Sequence, residues 1–343
     1  SEQDYIGVYY DTCRTNCQGV GPDVVDGRPH VPLNLKVTQR SYAWSYSYAE
    51  DFVLFDYSIE NIGQQRLRQV YMGIYVDADV HDRGNTGNGA QDDLCGFLHT
   101  IDAQYMPANC PPAIDTVNIA YIMDNDGDFD NKPWRPAPNV TGARIVRTPS
   151  DSLRVSFNWW IGNGNPQLDY GPQSKAKFRD LTTGGQGTPE GDRNKYWFLS
   201  NGEFDFDQIF TASISALDTI WVFPNQAVAD DLSDGFDTRY LLSFGPFDIE
   251  PGQTLPLSFA YVAGANIHQS SDNFNQNLNS KLGNYAPEDY YDGLDFSDLG
   301  LNATWAGWVY DNPGIDTDSD GYAGKYRVCP TGDSTIFDTI WYE

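Results

Sequence analysis

Two short Asp-rich loops contain the residues whose types and spacing best suit a chemical role. In the loop near the end of the chain, the candidate ligands are Asp316, Asp318, Asp320 and Tyr322. Alternating oxygen ligands followed by a glycine that permits a sharp turn are typical of the first half of an EF-hand-like calcium loop. The twelfth position is Arg327 instead of a bidentate glutamate, so the remaining ligands must come from elsewhere in the fold. The alternative is a solvated Asp-rich turn.

The second Asp-rich loop follows directly after an apolar run, residues 119–123. Its acidic residues are Asp124, Asp126, Asp128 and Asp130. A strand end that delivers several carboxylates to one edge makes their mutual repulsion large unless a cation lies between them. We therefore expect calcium at this loop too, with a solvated loop as the alternative.

A third candidate site combines two stretches that are separated in sequence. Asp77 and Asp79 end a predicted strand, and Asp92 and Asp93 lie beyond an intervening Gly- and Asn-containing loop. Folding back of that loop would bring the four carboxylates close together, and Ca²⁺ prefers such all-oxygen ligands. A plain solvated loop remains the alternative here as well.

Five cysteines are present, and disulfides explain them better than zinc does. Cys95 and Cys110 flank a Pro-containing loop, whose closure by a disulfide would contribute roughly 3 kcal/mol in the chain-entropy model. Cys13 and Cys17 are close enough to pair with each other, or one of them pairs with Cys329. The odd number leaves one free thiol or one intermolecular bond. Zinc is disfavoured because no CxxC pair occurs.

Catalytic signals are weak in this sequence. There is no GxSxG, no HExxH and no phosphate-binding glycine-rich loop before a helix. The four histidines, His30, His81, His99 and His268, have no evident nucleophile beside them. A glycosidase carboxylate pair cannot be singled out, since so many acids are present that any two would qualify. The sequence therefore predicts a protein that is not an enzyme.

The charge balance limits the classes of partner. The chain has 48 acidic and 21 basic residues and a formal net charge of -27, which repels nucleic-acid phosphates and attracts cations. No apolar run is long enough to span a membrane, so we expect neither nucleic-acid binding nor membrane insertion. The start at Ser1 is typical of a mature, processed chain.

Period-two alternation predicts strands along the whole chain. Residues 52–60 and 70–76 read as a hairpin joined by a turn. Further predicted strands are 117–123, 143–147, 153–161, 240–244, 255–262, 308–310 and 335–342. Only residues 272–282 suggest a helix. The adjacent Trp159 and Trp160 must point to opposite faces of their strand, so one of them is a candidate for surface or interface area.

The expected fold is an all-β, antiparallel β-sandwich, immunoglobulin-like or jelly-roll-like, with at most one or two short helices. Long connections rich in Asp, Gly and Asn, at 80–114, 163–194 and 284–303, should be ordered, and metal ions are the expected means of ordering them. No low-complexity linker breaks the chain, so we predict one elaborated sandwich domain over residues 1–343. A subdivision near residues 150–200 is the alternative.

Several segments resemble a family of large secreted bacterial surface proteins that often end in a type IX-type sorting domain. The resembling segments are FVLFDYSIENIG, VYMGIYVDADV, RVSFNWWIGNGNP, RYLLSFGPFDIEPGQTLPLSFAYVAG and WAGWVYDNPGIDTDSDG, and the similarity covers most of the chain. The resemblance implies export and extracellular or cell-surface residence, and it assigns no catalytic residue. The chain stops at Glu343 without a sorting domain, and we expect that such a segment was removed or left out.

These observations predict an extracellular, calcium-binding structural protein that self-assembles into a fibre, tube or surface layer. Its expected partner is another copy of itself, joined by strand addition at the strand-like ends, residues 5–10 and 335–342. A monomeric carbohydrate-binding or adhesion module that contacts polysaccharide is the first alternative. A secreted hydrolase is the second.

Overall fold

The computed structural model of the chain describes most of its residues. The described residues are 1–81, 91–103, 114–127, 137–150, 154–162, 171, 173–181, 189–203, 207–222, 224–311, 314–316, 319, 321 and 323–324, with the backbone alone at 327–330 and 337–340.

Twelve β-strands in three antiparallel sheets make up the larger part of the described fold. In chain order they are β1 Gln3–Asp11, β2 Leu35–Ala43, β3 Phe52–Asn61, β4 Leu67–Asp77, β5 Asp93–Asp102, β6 Ile114–Asp124, β7 Val140–Arg147, β8 Val155–Ile161, β9 Thr238–Ile249, β10 Thr254–Gly264, β11 Arg327–Pro330 and β12 Phe337–Ile340. The large sheet has the order β1-β2-β3-β10-β7-β6-β5, the small sheet β4-β9-β8, and β11 pairs with β12.

The large sheet lies between two apolar cores. Strand β6 shows why, because its side chains alternate between the faces. Ala120 and Ile122 face the small sheet and pack with side chains such as Trp159 and Leu242. Tyr121 and Met123 face the other way, into a core that helices cover. Two antiparallel sheets around an apolar layer confirm the predicted all-β sandwich.

Five α-helices lie outside the sheets in the described residues, which is more than the one or two expected. They are α1 Asp192–Ser200, α2 Gln226–Asp234, α3 Asn273–Asn277, α4 Pro287–Asp292 and α5 Ser297–Tyr310, with 3₁₀ turns at Gln208–Ser213 and Ser280–Leu282. The predicted helix at 272–282 thus exists as α3 and the second 3₁₀ turn. No helix in the described part of the chain is both long and apolar enough to span a bilayer.

The predicted strand at 308–310 is wrong, because these residues end helix α5. The helix packs on β10, where Leu299, Ala303 and Ala306 are buried at helical spacing. Gly264 of β10 allows this close approach, since a Cβ there would lie 2.7 Å from the Leu299 Cβ. The expected connection at 284–303 is therefore largely helical, formed by α4 and the start of α5.

The predicted hairpin of residues 52–60 and 70–76 is also wrong, although both strands exist. Strand β3 pairs with β2 and β10 in the large sheet, whereas β4 pairs with β9 in the small one. The chain crosses from one sheet to the other at Asn61, because β3 and β4 each have one face in the same inter-sheet core.

Strand β5 lies inside the predicted loop at 80–114. Its first six residues are all buried, since the large sheet is covered on both faces here. A strand buried on both faces lacks the polar–apolar alternation that identifies a half-buried strand.

The cysteines divide into one predicted pair that forms and one that does not. Cys13 and Cys17 form a disulfide with their Cα atoms 5.8 Å apart, which confirms that prediction. The expected Cys95–Cys110 bond is not formed at Cys95, whose thiol is free and buried between the two sheets. Cys110 lies outside the described residues.

Trp159 and Trp160 point to opposite faces of β8, as predicted, but neither is exposed. Trp159 packs in the inter-sheet core. Trp160 is 1% exposed and contacts Phe198 of α1, with ring centroids 5.5 Å apart. Helix α1 therefore covers the outer face of the small sheet.

Candidate metal centre

An acidic rim forms where strands of both sheets end at the same side of the sandwich. We use this name for Asp77, Asp79, Asp92, Asp93, Asp124, Asp126 and Asp237. Asp77 ends β4, Asp124 ends β6, Asp93 begins β5, and Asp237 precedes β9. The backbone connects these ends: the Phe236 N–H donates to the Asp93 carbonyl at 3.0 Å, and the Asn125 N–H donates to the Asp92 carbonyl at 2.9 Å.

Three carboxylates of the rim lie close enough to share one cation. Asp77, Asp79 and Asp237 each offer an oxygen, and these oxygens lie within 4.8 Å of one another. Arg239 approaches two of the three acids: its Nε lies 3.3 Å from Asp77 Oδ1, and its Nη2 lies 2.6 Å from Asp237 Oδ1. One guanidinium against three carboxylates leaves the group with a formal charge of -2, which matches a divalent cation.

A buried pair of carboxyl groups lies beside this trio. Asp93 and Asp124 stand directly opposite each other on β5 and β6 and are 0% and 1% exposed. Burial, followed by the charges of Asp124, Asp92 and Asp79, raises the pKa of Asp93 well above its usual range. The Val80 N–H, 3.3 and 3.4 Å from the two Asp93 oxygens, offsets this only in part.

Hydrogen bonds between side chains and backbone groups around Asn125 hold the segment after β6 in place. The Asp126 N–H donates to Asp124 Oδ1 at 2.9 Å, and Tyr290 Oη donates to the Asn125 carbonyl at 2.7 Å. Asn125 Nδ2 donates to the Asp234 carbonyl at 2.7 Å. Asn125 is 4% exposed, and its Oδ1 accepts no hydrogen bond within the described part of the chain. An amide oxygen of this kind is a further ligand type that calcium accepts.

His268 contributes a neutral ring to the same region. Its Nε2 lies 2.9 Å from the Asp124 carbonyl oxygen, so this nitrogen is the donor. Burial lowers the pKa of His268, and the hydrogen bond to Asp124 and the charge of Asp126 oppose this shift. The imidazole therefore adds little positive charge to the rim at neutral pH.

The structure joins two sites that the sequence suggested separately. Asp77, Asp79, Asp92 and Asp93 of the third candidate site lie on the same rim as Asp124 and Asp126 of the second. The trio itself pairs Asp77 and Asp79 with Asp237, which the sequence reading missed. Its signal was the Asp-Gly-Phe-Asp run at residues 234–237, directly before a strand. Asp128 and Asp130 lie outside the described residues.

The first candidate loop is described only at three positions. The Gly321 N–H donates to Asp316 Oδ2 at 2.9 Å. Ser319 and Gly321 have φ values of 65° and 90°, as in a tight turn. Asp318, Asp320 and Tyr322 lie outside the described residues, so calcium binding at this loop stays a prediction.

Comparison with known proteins adds no family to this geometry. A scan against models of protein families finds no match for the chain, and a search of curated proteins finds no significant relative. Any functional assignment therefore depends on the residues and contacts described above.

Proposed function

We propose that this chain is an extracellular, calcium-binding structural protein that associates with copies of itself. The observation that carries the proposal is the trio of Asp77, Asp79 and Asp237, whose charge of -2 remains after pairing with Arg239. A hard divalent cation with oxygen ligands suits this group.

The buried neighbours of the trio respond to its charge. Asp93 and Asp124 are removed from water, so the charges around them are less screened than in solvent. The charge of Asp79 is one cause of the raised pKa of Asp93, so a cation bound to the trio would shift that pKa back toward its usual range. Asp77, Asp79 and Asp237 would hold the ion.

A cation held by the trio would lie at the end of the small sheet, beside the end of the large one. Asp77 and Asp237 flank the paired ends of β4 and β9 in the small sheet, and Asp93 and Asp124 lie in the large one. An ion that binds only the folded chain stabilises it by about 2.7 kcal/mol at 100 times its dissociation constant.

Two features support an extracellular location and self-association. The Cys13–Cys17 disulfide is a bond that persists in oxidising compartments, in keeping with the resemblance to secreted surface proteins. Strand β1 is an edge strand with large exposed apolar side chains, and such an edge is a template for pairing with another chain.

The test of the calcium site is binding calorimetry and thermal unfolding with and without calcium. Wild-type protein should bind calcium and unfold at a higher temperature when calcium is present. Asp237→Asn should weaken binding at least tenfold and remove most of the calcium-dependent rise in melting temperature, whatever its effect on the calcium-free protein.

The matched control for this test is Glu250→Gln, which removes the same charge at the other end of β9, roughly 40 Å away for twelve extended residues. It should leave calcium binding unchanged. Equal calcium-dependent shifts in wild type and Asp237→Asn would show that the trio does not hold the ion.

A second candidate function, binding of acidic polysaccharide, has one observation in its favour. A surface pocket of about 480 Å³ is lined by residues that include Arg28, Arg179, Arg193, Tyr196 and Trp197. Guanidinium groups bind carboxylated or sulfated sugars, and aromatic faces stack on sugar rings. Asp192 also lines the pocket, and Asp26 pairs with both Arg28 and Arg193, so an acidic sugar would compete with these acids. Binding to uronic-acid glycans that Trp197→Ala abolishes would favour this function.

A further inference from the structure

Strand β1 leaves an apolar face of the large sheet uncovered. Tyr5 and Tyr9 lie on the face that β2 continues with Leu35 and Val37, and they are 66% and 50% exposed. Strand β2 is half-buried throughout. Among the described residues, the small sheet covers the large one from β3 onward and leaves the β1–β2 ribbon without an opposing strand.

A groove lies between this ribbon and the edge of the small sheet. Its volume is about 440 Å³. One wall is strand β4 from Val70 to Tyr75, which forms the free edge of the small sheet, and the floor includes Tyr9, Leu35, Val37 and Tyr57. None of the described residues that line the groove is charged. A free strand edge beside an uncharged apolar floor is suited to an added β-strand.

The edge strands β1 and β4 have closely similar sequences. Residues 5–10 of β1 read YIGVYY, and residues 71–76 of β4 read YMGIYV. Each places a glycine at the third position and apolar or tyrosine side chains elsewhere, and neither contains a charge or a proline. Charged residues and prolines usually protect natural edge strands from pairing with another chain. Both edges lack this protection.

We infer that a second copy of this chain occupies the groove, through a two-fold symmetric contact in which β1 of each copy pairs with β4 of the other. The ribbon of one copy then lies over the ribbon of its partner and extends the partner's small sheet. The uncovered β1–β2 ribbon of each copy is thus covered by the β1–β2 ribbon of the other. This inference rests on the self-association in the proposed function and identifies the surface through which it occurs.

The charge distribution favours this occupant. Two chains that each carry a net charge of -27 repel one another, and they can approach closely only where their surfaces lack acids. The groove and residues 5–10 form such a surface, bounded by Asp4 and Asp11 on β1. A two-fold contact is also self-complementary, as one patch meets its own copy.

The experiment compares two adjacent tyrosines of β1 by sedimentation velocity of the full chain in calcium. Tyr9 faces the groove, whereas Tyr10, with a similar exposure of 57%, belongs to the opposite face of the strand. Tyr9→Glu should shift the dimer dissociation constant upward at least tenfold, because it places a charge in the uncharged contact. Tyr10→Glu should change it by less than threefold.

Hydrogen exchange provides a second readout on the same samples. The amides of β4 from Tyr71 to Tyr75 should exchange more slowly in the wild-type dimer than in Tyr9→Glu, because they gain partners across the contact. Wild-type protein that associates with no change for either variant, and no protection of β4, would overturn the inference while leaving self-association intact. A wild type that stays monomeric at all concentrations would overturn both and leave the groove for an unrelated partner.

Discussion

Asp207 is a partly buried residue whose carboxyl group accepts two hydrogen bonds from described residues. Its oxygens accept from the Phe97 N–H at 2.8 Å and from Tyr121 Oη at 3.2 Å. Desolvation raises the pKa of Asp207 to about 7, although both hydrogen bonds act in the opposite direction. Gly96 makes room for this arrangement, since a Cβ there would clash with the Tyr121 hydroxyl and the Asp207 carboxyl.

Asp207 should make stability depend on pH. In the unfolded chain this group has a pKa near 3.8, so between about pH 4 and pH 7 the folded chain holds the extra proton. The free energy of unfolding contributed by Asp207 therefore falls as pH rises through this window. Asp207→Asn, which stays neutral, should reduce the difference in stability between pH 5 and pH 7.5 by about 2 kcal/mol.

Urea denaturation at the two pH values, at fixed calcium, measures this difference. Asp51→Asn removes an exposed acid before β3 and should keep the wild-type pH dependence. An identical pH dependence in Asp207→Asn and wild type would contradict a protonated Asp207 in the folded chain.

The sequence identified most of the acids of the rim, but it did not predict that they lie together. Asp77, Asp79 and Asp124 were identified from their positions next to predicted strands, and Asp93 from a loop that was expected to fold back toward Asp77 and Asp79. Their assembly into one rim depends on the pairing of β5 with β6 and on the order of strands in two sheets. The position of Asp237 directly before a strand was a comparable signal that was missed. Asp207 gave none, because its role arises from contacts with residues distant in sequence.

At the scale of elements, Asn61 joins two places where the chain passes between the sheets. It is 0% exposed. Its Nδ2 donates to the carbonyls of Gln65 and Ile249 at 2.8 and 2.9 Å, and its Oδ1 accepts from the Gly63 N–H at 3.0 Å. The crossing from β3 to β4 is thereby fixed to the crossing from β9 to β10.

Truncation of this side chain should be costly. Asn61→Ala would leave the carbonyl of the buried Ile249, the Gln65 carbonyl and the Gly63 N–H without their partner, so we expect the free energy of unfolding to fall by roughly 2–4 kcal/mol. Gln64→Ala, at an exposed position of the same crossing, should cost less than about 0.5 kcal/mol. Chemical denaturation checks both values, and equal losses would argue against a specific role for Asn61.

The same region shows why strands were easier to predict than their pairing. The alternation in β3 and β4 is the same whether two strands form a hairpin or lie in facing sheets, since each buries one side in both cases. Helix α5 was missed for a related reason: its Trp and Val residues favour strands, whereas the spacing of Leu299, Ala303 and Ala306 is helical.

At the scale of the whole molecule, the rim and the uncovered ribbon are two features of one sandwich. The rim gathers strand ends from both sheets, while the ribbon extends the large sheet beyond the small one. Calcium at the rim would stabilise the folded sandwich. The groove that receives a second copy is formed by residues of both sheets, so it depends on that fold. We therefore expect calcium to favour self-association as well as stability.

Sedimentation velocity of the full chain in calcium and then in excess chelator is the most direct test of calcium-dependent self-association. We expect species heavier than the 38.4 kDa monomer in calcium, and a shift toward monomer when calcium is removed. A single 38.4 kDa species in both conditions would contradict calcium-dependent self-association.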